Sequence, residues 1–249
     1  MYKGNLGAKR MTESTKKSKS KYFLLCLLVA GIFFLPLLLS RIQNRSLRVA
    51  CVGDSITYGA KIKNISENSY PARLQQLLGS SYLVKNFGAS GYTLQKSGNY
   101  PYWDHVNFQK SSDFQPDIVL LMLGTNDSKT CNWEGAQAFT KDYREMLSHY
   151  LSLENSPQVF LMTPATVFPE SFNAADSYTI NAEIVDLIAQ LIRQLAQDEN
   201  LPLIDIHSAT KTHPEFFQED GVHPNAQGAS FIADCVSEAI LTFQKNNTQ

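Results

Sequence analysis

The chain has 249 residues, of which 43% are hydrophobic and 18% charged, with a formal net charge of −1. This composition is typical of a globular protein and excludes a disordered one. Residues 1–21 carry seven basic side chains and one acidic one, so the remainder is mildly acidic and unsuited to binding nucleic acid. No Cys or His pair has the spacing of zinc ligands, and we expect neither a metal site nor another cofactor.

Residues 22–40 are predicted to form a transmembrane signal anchor. The run from 22 to 39 is almost wholly apolar, and at about 1.5 Å per residue it spans roughly 27 Å, close to the hydrocarbon core of a bilayer. A cleaved signal peptide is the alternative. We favour the anchor because the run is longer than a usual signal core and no small-x-small cleavage site follows it.

The basic residues predict how such an anchor is oriented. They are concentrated in residues 1–21, a segment whose polar composition, rich in Ser, Lys and Thr, predicts disorder. The positive-inside rule places this tail in the cytoplasm. The rest of the chain is then extracytoplasmic, either held at the membrane or, if the segment is cleaved, secreted.

Beyond a linker at 41–46, apolar strand-like runs alternate with helical patterns. We predict strands at 47–52, 82–87, 117–123, 158–162 and 202–206, and helices at 69–79, 104–112, 133–153, 178–199 and 225–243. This alternation predicts an α/β fold: a five-stranded parallel sheet covered on both faces, in one three-layer α/β/α, flavodoxin-like domain over 47–245.

The block Gly53–Thr57, Gly-Asp-Ser-Ile-Thr, directly follows the first predicted strand. Open α/β sheets bind ligands at the carboxyl ends of their strands, and we interpret Ser55 there as a nucleophile. The block is not a phosphate loop, because no Gly-Lys-Ser/Thr follows it. It is not a Gly-x-Ser-x-Gly elbow either, because position 57 is threonine.

A base for Ser55 is predicted in the block Asp220–Pro224, Asp-Gly-Val-His-Pro, just before the last helix. Neutral His223 can accept the serine proton, and Asp220, three residues earlier, can hold the imidazole in the required tautomer. His207 is the strongest rival base because it follows the fifth strand. We interpret the remaining histidines as structural or surface residues.

Two further blocks follow strands two and three: Gly88 within Asn-Phe-Gly-Ala-Ser-Gly, and Gly124–Asp127, Gly-Thr-Asn-Asp. The four blocks in this order resemble the SGNH (GDSL-type) hydrolase superfamily of esterases and lipases, over roughly residues 47–243. The resemblance implies an oxyanion hole made of the backbone N–H groups of Ser55 and Gly88 and the side-chain amide of Asn126. We expect Asp127 to organise its loop and not to catalyse.

The stretch from residue 69 to residue 129 is most similar to bacterial carbohydrate acetylesterases of this superfamily, including sialate O-acetylesterase-like members. This implies a Ser-His-Asp esterase that forms an acyl-enzyme and removes acetyl groups from glycans. Tyr92, Tyr102 and Trp103 would offer flat faces to a sugar ring, or simply pack under a long loop. A lysophospholipase or short-chain lipase is the alternative enzyme, and an inactive glycan-binding module the alternative of another class.

Overall fold

The computed structural model describes residues 45–168 and 179–247. Within them the strands are β1 (Leu47–Gly53), β2 (Tyr82–Gly88), β3 (Ile118–Met122), β4 (Gln158–Met162) and β5 (Leu203–Ile204). The helices are α1 (Ser55–Tyr58), α2 (Ile65–Asn68), α3 (Tyr70–Leu78), α4 (Val106–Asp113), α5 (Ala136–Leu151), α6 (Ala182–Asp198), α7 (Ile206–Thr210) and α8 (Ala226–Asn247).

The strands form one parallel sheet in the order β2-β1-β3-β4-β5. This confirms the predicted five-stranded parallel sheet, and the order is that of flavodoxin-like folds. The chain leaves β1 in one direction to form β2 and later returns on its other side as β3. Gly53, at the end of β1, pairs with Gly88 of β2 and with Met122 of β3, so these three strands end level with one another.

Side chains of the central strands alternate between two buried clusters. Val49 and Cys51 of β1 pack with α3 and α8 on one face of the sheet, whereas Ala50 and Val52 pack with α5 and α6 on the other. A strand buried on both faces needs apolar residues at every position, which explains the unbroken apolar runs in the sequence. The helices therefore cover both faces, as predicted.

The fifth strand is shorter than predicted, covering Leu203–Ile204 instead of 202–206. Asp205 ends it because its carboxylate accepts a hydrogen bond from the Ser208 amide and so caps α7, which the sequence did not predict. Helix α6 likewise begins later than predicted. The Asn181 side chain accepts from the Ile184 amide, 3.2 Å away, and caps the helix there.

The predicted tail at 1–21 and the predicted transmembrane segment at 22–40 lie outside the described residues. Among residues 45–168 and 179–247, no helix combines the length and the apolar character needed to cross a membrane.

Candidate active site

Ser55 begins α1, a single helical turn that directly follows β1. Asp54 precedes it as the helix cap, its carboxylate accepting from the Ile56 amide at 2.9 Å. The turn packs tightly against the sheet. A Cβ on Gly53 would lie 2.1 Å from Thr57 Oγ1 and 2.5 Å from the Met122 carbonyl oxygen, so only glycine fits there. Ser55 itself is 7% exposed, within reach of a substrate.

The structure brings His223 and Asp220 to Ser55 across 168 positions of sequence. His223 Nε2 lies 2.9 Å from Ser55 Oγ, and His223 Nδ1 lies 2.7 Å from Asp220 Oδ2. Gly221, at φ 62°, turns the chain between acid and base. The Gln218 amide donates to the His223 carbonyl at 2.8 Å and closes this loop. Serine, imidazole and carboxylate thus form one continuous line of hydrogen bonds.

The Asp220 carboxylate is held in its ionised form. Burial raises its pKa, but hydrogen bonds from the His223 amide, from Lys61 and from the His223 ring outweigh burial. The pKa of Asp220 therefore lies well below its usual range. An ionised carboxylate at this position accepts from Nδ1 and leaves Nε2 free to accept the serine proton.

Asn126 begins a 3-10 turn, Asn126–Ser128, immediately beyond β3. Its Nδ2 donates to the Tyr92 carbonyl at 3.1 Å, and its own carbonyl accepts from Asn132 Nδ2 at 2.9 Å. An amide nitrogen carries two hydrogens, so Asn126 retains one for a ligand. The side chain is fixed in place because both ends of the residue are bonded to neighbouring loops.

Gly88 does not have the role that the sequence predicted. Its N–H donates to Asn86 Oδ1 at 2.8 Å, so it is already paired inside the protein. A Cβ on Gly88 would lie 2.2 Å from the Tyr58 backbone nitrogen, which gives this glycine a packing role between β2 and α1. The prediction that Gly88 lines the oxyanion hole is therefore wrong.

Gly91, three residues beyond Gly88, was not among the predicted site residues. It lies in the turn closed by the Tyr92 amide and the Ala89 carbonyl, with φ 86° and open space where a side chain would be. Among the described residues its N–H has no partner, and the same holds for the N–H of Ser55. The sequence does carry a signal for Gly91, because the block Asn-Phe-Gly-Ala-Ser-Gly contains two glycines.

The three aromatic residues proposed to bind sugar differ in exposure. Tyr102 is 0% exposed and its hydroxyl donates to the Phe87 carbonyl, so it is a core residue and the prediction is wrong. Trp103 is half-buried: its indole N–H donates to the Leu94 carbonyl and Lys96 covers its ring. Tyr92 is half-buried, and its ring contacts that of Tyr100, which the prediction omitted and which is 62% exposed.

His207, the rival base, is occupied elsewhere. It is 4% exposed, its Nε2 bonds Asp186 at 2.8 Å, and its Nδ1 faces Arg193. Burial lowers the pKa of His207, and the Asp186 carboxylate opposes this. The other three histidines also bond neighbours: His105 with Asn107, His149 with Ser112, and His213 with Glu215.

Asp127 organises its loop, as expected. It is fully buried and its two oxygens accept from the Leu94 and Gln95 amides at 2.9 and 2.7 Å. Burial raises the pKa of Asp127 to about 7, although both backbone hydrogen bonds oppose the shift. Within residues 45–168 and 179–247, no group of three His, Cys, Asp or Glu side chains could hold a metal ion.

With this geometry established, comparison with known proteins identifies the family. Residues 51–230 match the model of the GDSL-like lipase/acylhydrolase family, and the chain belongs to it. An acetylxylan esterase of Xylanibacter ruminicola is 33% identical over 215 residues, which are 80% of this chain and 44% of that protein. The chain thus spans less than half the length of this relative.

Two other similar proteins match over nearly their whole length. An arylesterase of Vibrio mimicus is 27% identical over 212 residues, covering 82% of this chain and 92% of the relative. The crystal structure of a carbohydrate acetylesterase from Sinorhizobium meliloti superposes with a TM-score of 0.67 at 17% identity, covering 80% of this chain and 100% of that one. The structural match supports the SGNH-like fold.

Proposed function

We propose that the chain is a serine esterase in which Ser55 is the nucleophile, His223 the general base and Asp220 the acid that orients it. The observation that carries the proposal is the continuous line of hydrogen bonds from Ser55 Oγ through both nitrogens of His223 to Asp220. A serine hydroxyl becomes a useful nucleophile when a base at this distance accepts its proton.

In the first half-reaction, Ser55 Oγ attacks the acyl carbon while its proton passes to His223 Nε2. The tetrahedral intermediate collapses, the ester C–O bond breaks, and the leaving alcohol takes the proton back from His223. In the second half-reaction, water gives a proton to His223 and its oxygen attacks the acyl-Ser55 ester. The acid product leaves and Ser55 recovers its proton. Asp220 stabilises the imidazolium formed in each half.

For the oxyanion we propose three donors: the N–H groups of Ser55 and Gly91 and Nδ2 of Asn126. Gly91 replaces Gly88 because the Gly88 N–H is already bonded to Asn86. The Gly91 loop adjoins Asn126 directly, since Tyr92, the next residue, accepts the Asn126 hydrogen bond. Donors fixed before the reaction stabilise charge as it develops, and each is worth about 100- to 1000-fold in rate.

We propose O-acetylated carbohydrate as the substrate. The names of the acetylxylan esterase and of the carbohydrate acetylesterase support this. So does the aromatic pair Tyr92 and Tyr100, whose ring centroids are 5.9 Å apart and which adjoins Asn126 through the Tyr92 carbonyl. Aromatic faces suit the apolar C–H faces of sugars.

The test of this proposal measures acetate release from a panel of O-acetylated xylo-oligosaccharides and sialosides. Hydrolysis of acyl esters of increasing length and of a lysophospholipid is measured for comparison. We expect turnover of acetylated sugars that falls steeply with acyl length and disappears in Ser55→Ala. Ser148→Ala, an exposed serine on α5, is the matched control and retains full activity. A preference for long acyl chains or the lysophospholipid would contradict the substrate assignment, and activity retained in Ser55→Ala would contradict the mechanism.

We also propose that residues 22–40 anchor the enzyme in the membrane, with 1–21 in the cytoplasm and the SGNH hydrolase domain, 47–245, outside. The apolar run and the basic residues before it support this. We expect to find the intact full-length chain in the membrane fraction. It should resist carbonate extraction, and protease added outside the cell should cut it. Shortened protein in the medium would instead indicate a cleaved signal peptide.

A further inference from the structure

Lys61 contacts the catalytic acid directly, although nothing in the motifs indicated it. Its Nζ lies 2.5 Å from Asp220 Oδ2, the same oxygen that accepts from His223 Nδ1. The other oxygen, Oδ1, accepts from the Val222 and His223 amides. The carboxylate is thus fixed by its own loop on one side and by Lys61 and the imidazole on the other.

The backbone around Lys61 is shaped to make this contact. Helix α1 ends at Tyr58, and the amides of Gly59 and Ala60 both donate to the Ser55 carbonyl, which closes the turn immediately before Lys61. Lys61 itself has φ 64°, in the left-handed region that residues with a side chain seldom adopt. The segment that carries Ser55 is therefore joined by an ion pair to the segment that carries Asp220 and His223.

We propose that Lys61 is a positioning residue of the triad, which holds Asp220 against His223 and through it influences the pH dependence of the reaction. The inference deepens the proposed function and rests on it. A cation on Asp220 Oδ2 offsets part of the negative charge that would otherwise stabilise the imidazolium. Without that cation, Asp220 would attract the protonated imidazole more strongly, so we expect the pH dependence of the reaction to change when Lys61 is removed.

Other charged groups near this pair limit the size of the effect. Asp54, the cap residue before Ser55, interacts electrostatically with His223, and burial raises the pKa of Asp54 itself. Glu219, the neighbour of Asp220, is exposed. The Lys61 side chain is 56% exposed and so partly screened by water and salt. We therefore expect removal of Lys61 to shift the pH dependence by about 0.3 to 0.5 pH units at low ionic strength.

The test compares full-length Lys61→Met with Lys61→Arg and with Lys63→Met. Lys63 is exposed on the same loop, two residues away, and removing it changes the net charge equally. The measurement is kcat/KM for p-nitrophenyl acetate from about pH 5 to 9, the range in which histidine titrates, at low and high salt. Only Lys61→Met should move the acid limb to higher pH, the shift should shrink in high salt, and Lys61→Arg should restore the wild-type profile.

A Lys61→Met profile that superimposes on wild type would overturn the proposal, even if its kcat were lower. A two-dimensional NMR titration of the His223 ring in the same variants measures the effect of Lys61 on the imidazole without requiring ester hydrolysis. An unchanged titration midpoint in Lys61→Met would likewise overturn the role of Lys61. If wild type hydrolyses no ester, the proposed function fails, and the NMR comparison still decides whether Lys61 controls His223.

Discussion

At the scale of single residues, the contact between Asp220 and His223 could be predicted because the two residues are close in sequence. The two residues lie on one turn, where their spacing of three lets the carboxylate reach the imidazole. The contact between Lys61 and Asp220 joins positions 159 apart, so no local pattern could reveal it. The pairing of Ser55 with His223, 168 positions apart, could be predicted because both residues lie in recognisable motifs, whereas Lys61 lies in none.

The two glycines of the second block show the same limit. Both Gly88 and Gly91 are small enough to let a ligand approach, and sequence alone does not say which N–H is free. The deciding fact is the hydrogen bond from the Gly88 amide to Asn86, two residues earlier. The aromatic residues show the same limit. Tyr102 is buried and Tyr100 is exposed, and the sequence does not say which of the two a sugar could reach.

Asp220→Asn tests the orienting acid. Asparagine keeps the shape but can donate to Nδ1, which favours the wrong imidazole tautomer, and it weakens the contact with Lys61. We expect kcat for an acetyl ester to fall about 1000- to 10,000-fold with KM little changed. Glu219→Gln, at the exposed neighbouring position, is the control and should keep wild-type kcat. A fall of less than tenfold in Asp220→Asn would show that His223 works without Asp220.

At the scale of elements, strands with a continuous apolar core were predicted closely, and elements defined by a cap were not. β4 runs from Gln158 to Met162, as predicted. In contrast, β5 ends early because Asp205 caps α7, and α1 is a single turn too short to show helical periodicity. Such boundaries depend on one side chain finding a backbone amide.

Asp205 also joins α6 to the end of β5. Arg193 Nε and Nη2 donate to its two oxygens at 2.9 and 3.0 Å, and Thr163 Oγ1 donates to Oδ1. Burial raises the pKa of Asp205, but the hydrogen bonds from Arg193, Ser208 and Thr163 prevail and lower it to about 2. Because the folded-state pKa lies below the unfolded value, this carboxylate stabilises the fold at neutral pH and stops doing so in acid.

We therefore expect Asp205→Asn to lower the free energy of unfolding by about 1 to 2 kcal/mol at pH 7, allowing for partial exposure. The difference from wild type should shrink as pH falls from about 4, the unfolded pKa, towards 2. Urea unfolding at several pH values measures it. Asp198→Asn, an exposed partner of Arg144, is the control. A difference that grew in acid would contradict the assignment.

At the scale of the whole molecule, two buried clusters on opposite faces of one sheet hold the site together. The strand register places the ends of β1, β2 and β3 side by side, and the loops that carry Ser55, Gly91 and Asn126 all leave from these ends. The alternation of strands and helices predicted this convergence. The loop that carries His223 and Asp220 reaches the same edge from the start of α8, which the order of elements alone did not determine.

The arrangement of the buried core predicts which leucine substitutions destabilise the fold. Leu120, at the centre of β3, is 0% exposed, and Leu120→Ala should lower the free energy of unfolding by about 2 to 5 kcal/mol through lost burial and a cavity. Leu77→Ala, at a position 49% exposed on α3, should change it by about 0.5 kcal/mol or less. Urea denaturation of both variants checks the contrast. Equal losses would contradict the placement of β3 at the centre of the sheet.

The most direct test of the central claim is covalent labelling of the nucleophile. Wild-type protein treated with a fluorophosphonate should gain one adduct, which peptide mass spectrometry locates on Ser55. Labelling should be absent in Ser55→Ala and slowed at least 100-fold in His223→Ala, because the base that activates the hydroxyl is gone. An adduct on another serine, or equal labelling of Ser55 in His223→Ala, would contradict the Ser55–His223–Asp220 mechanism.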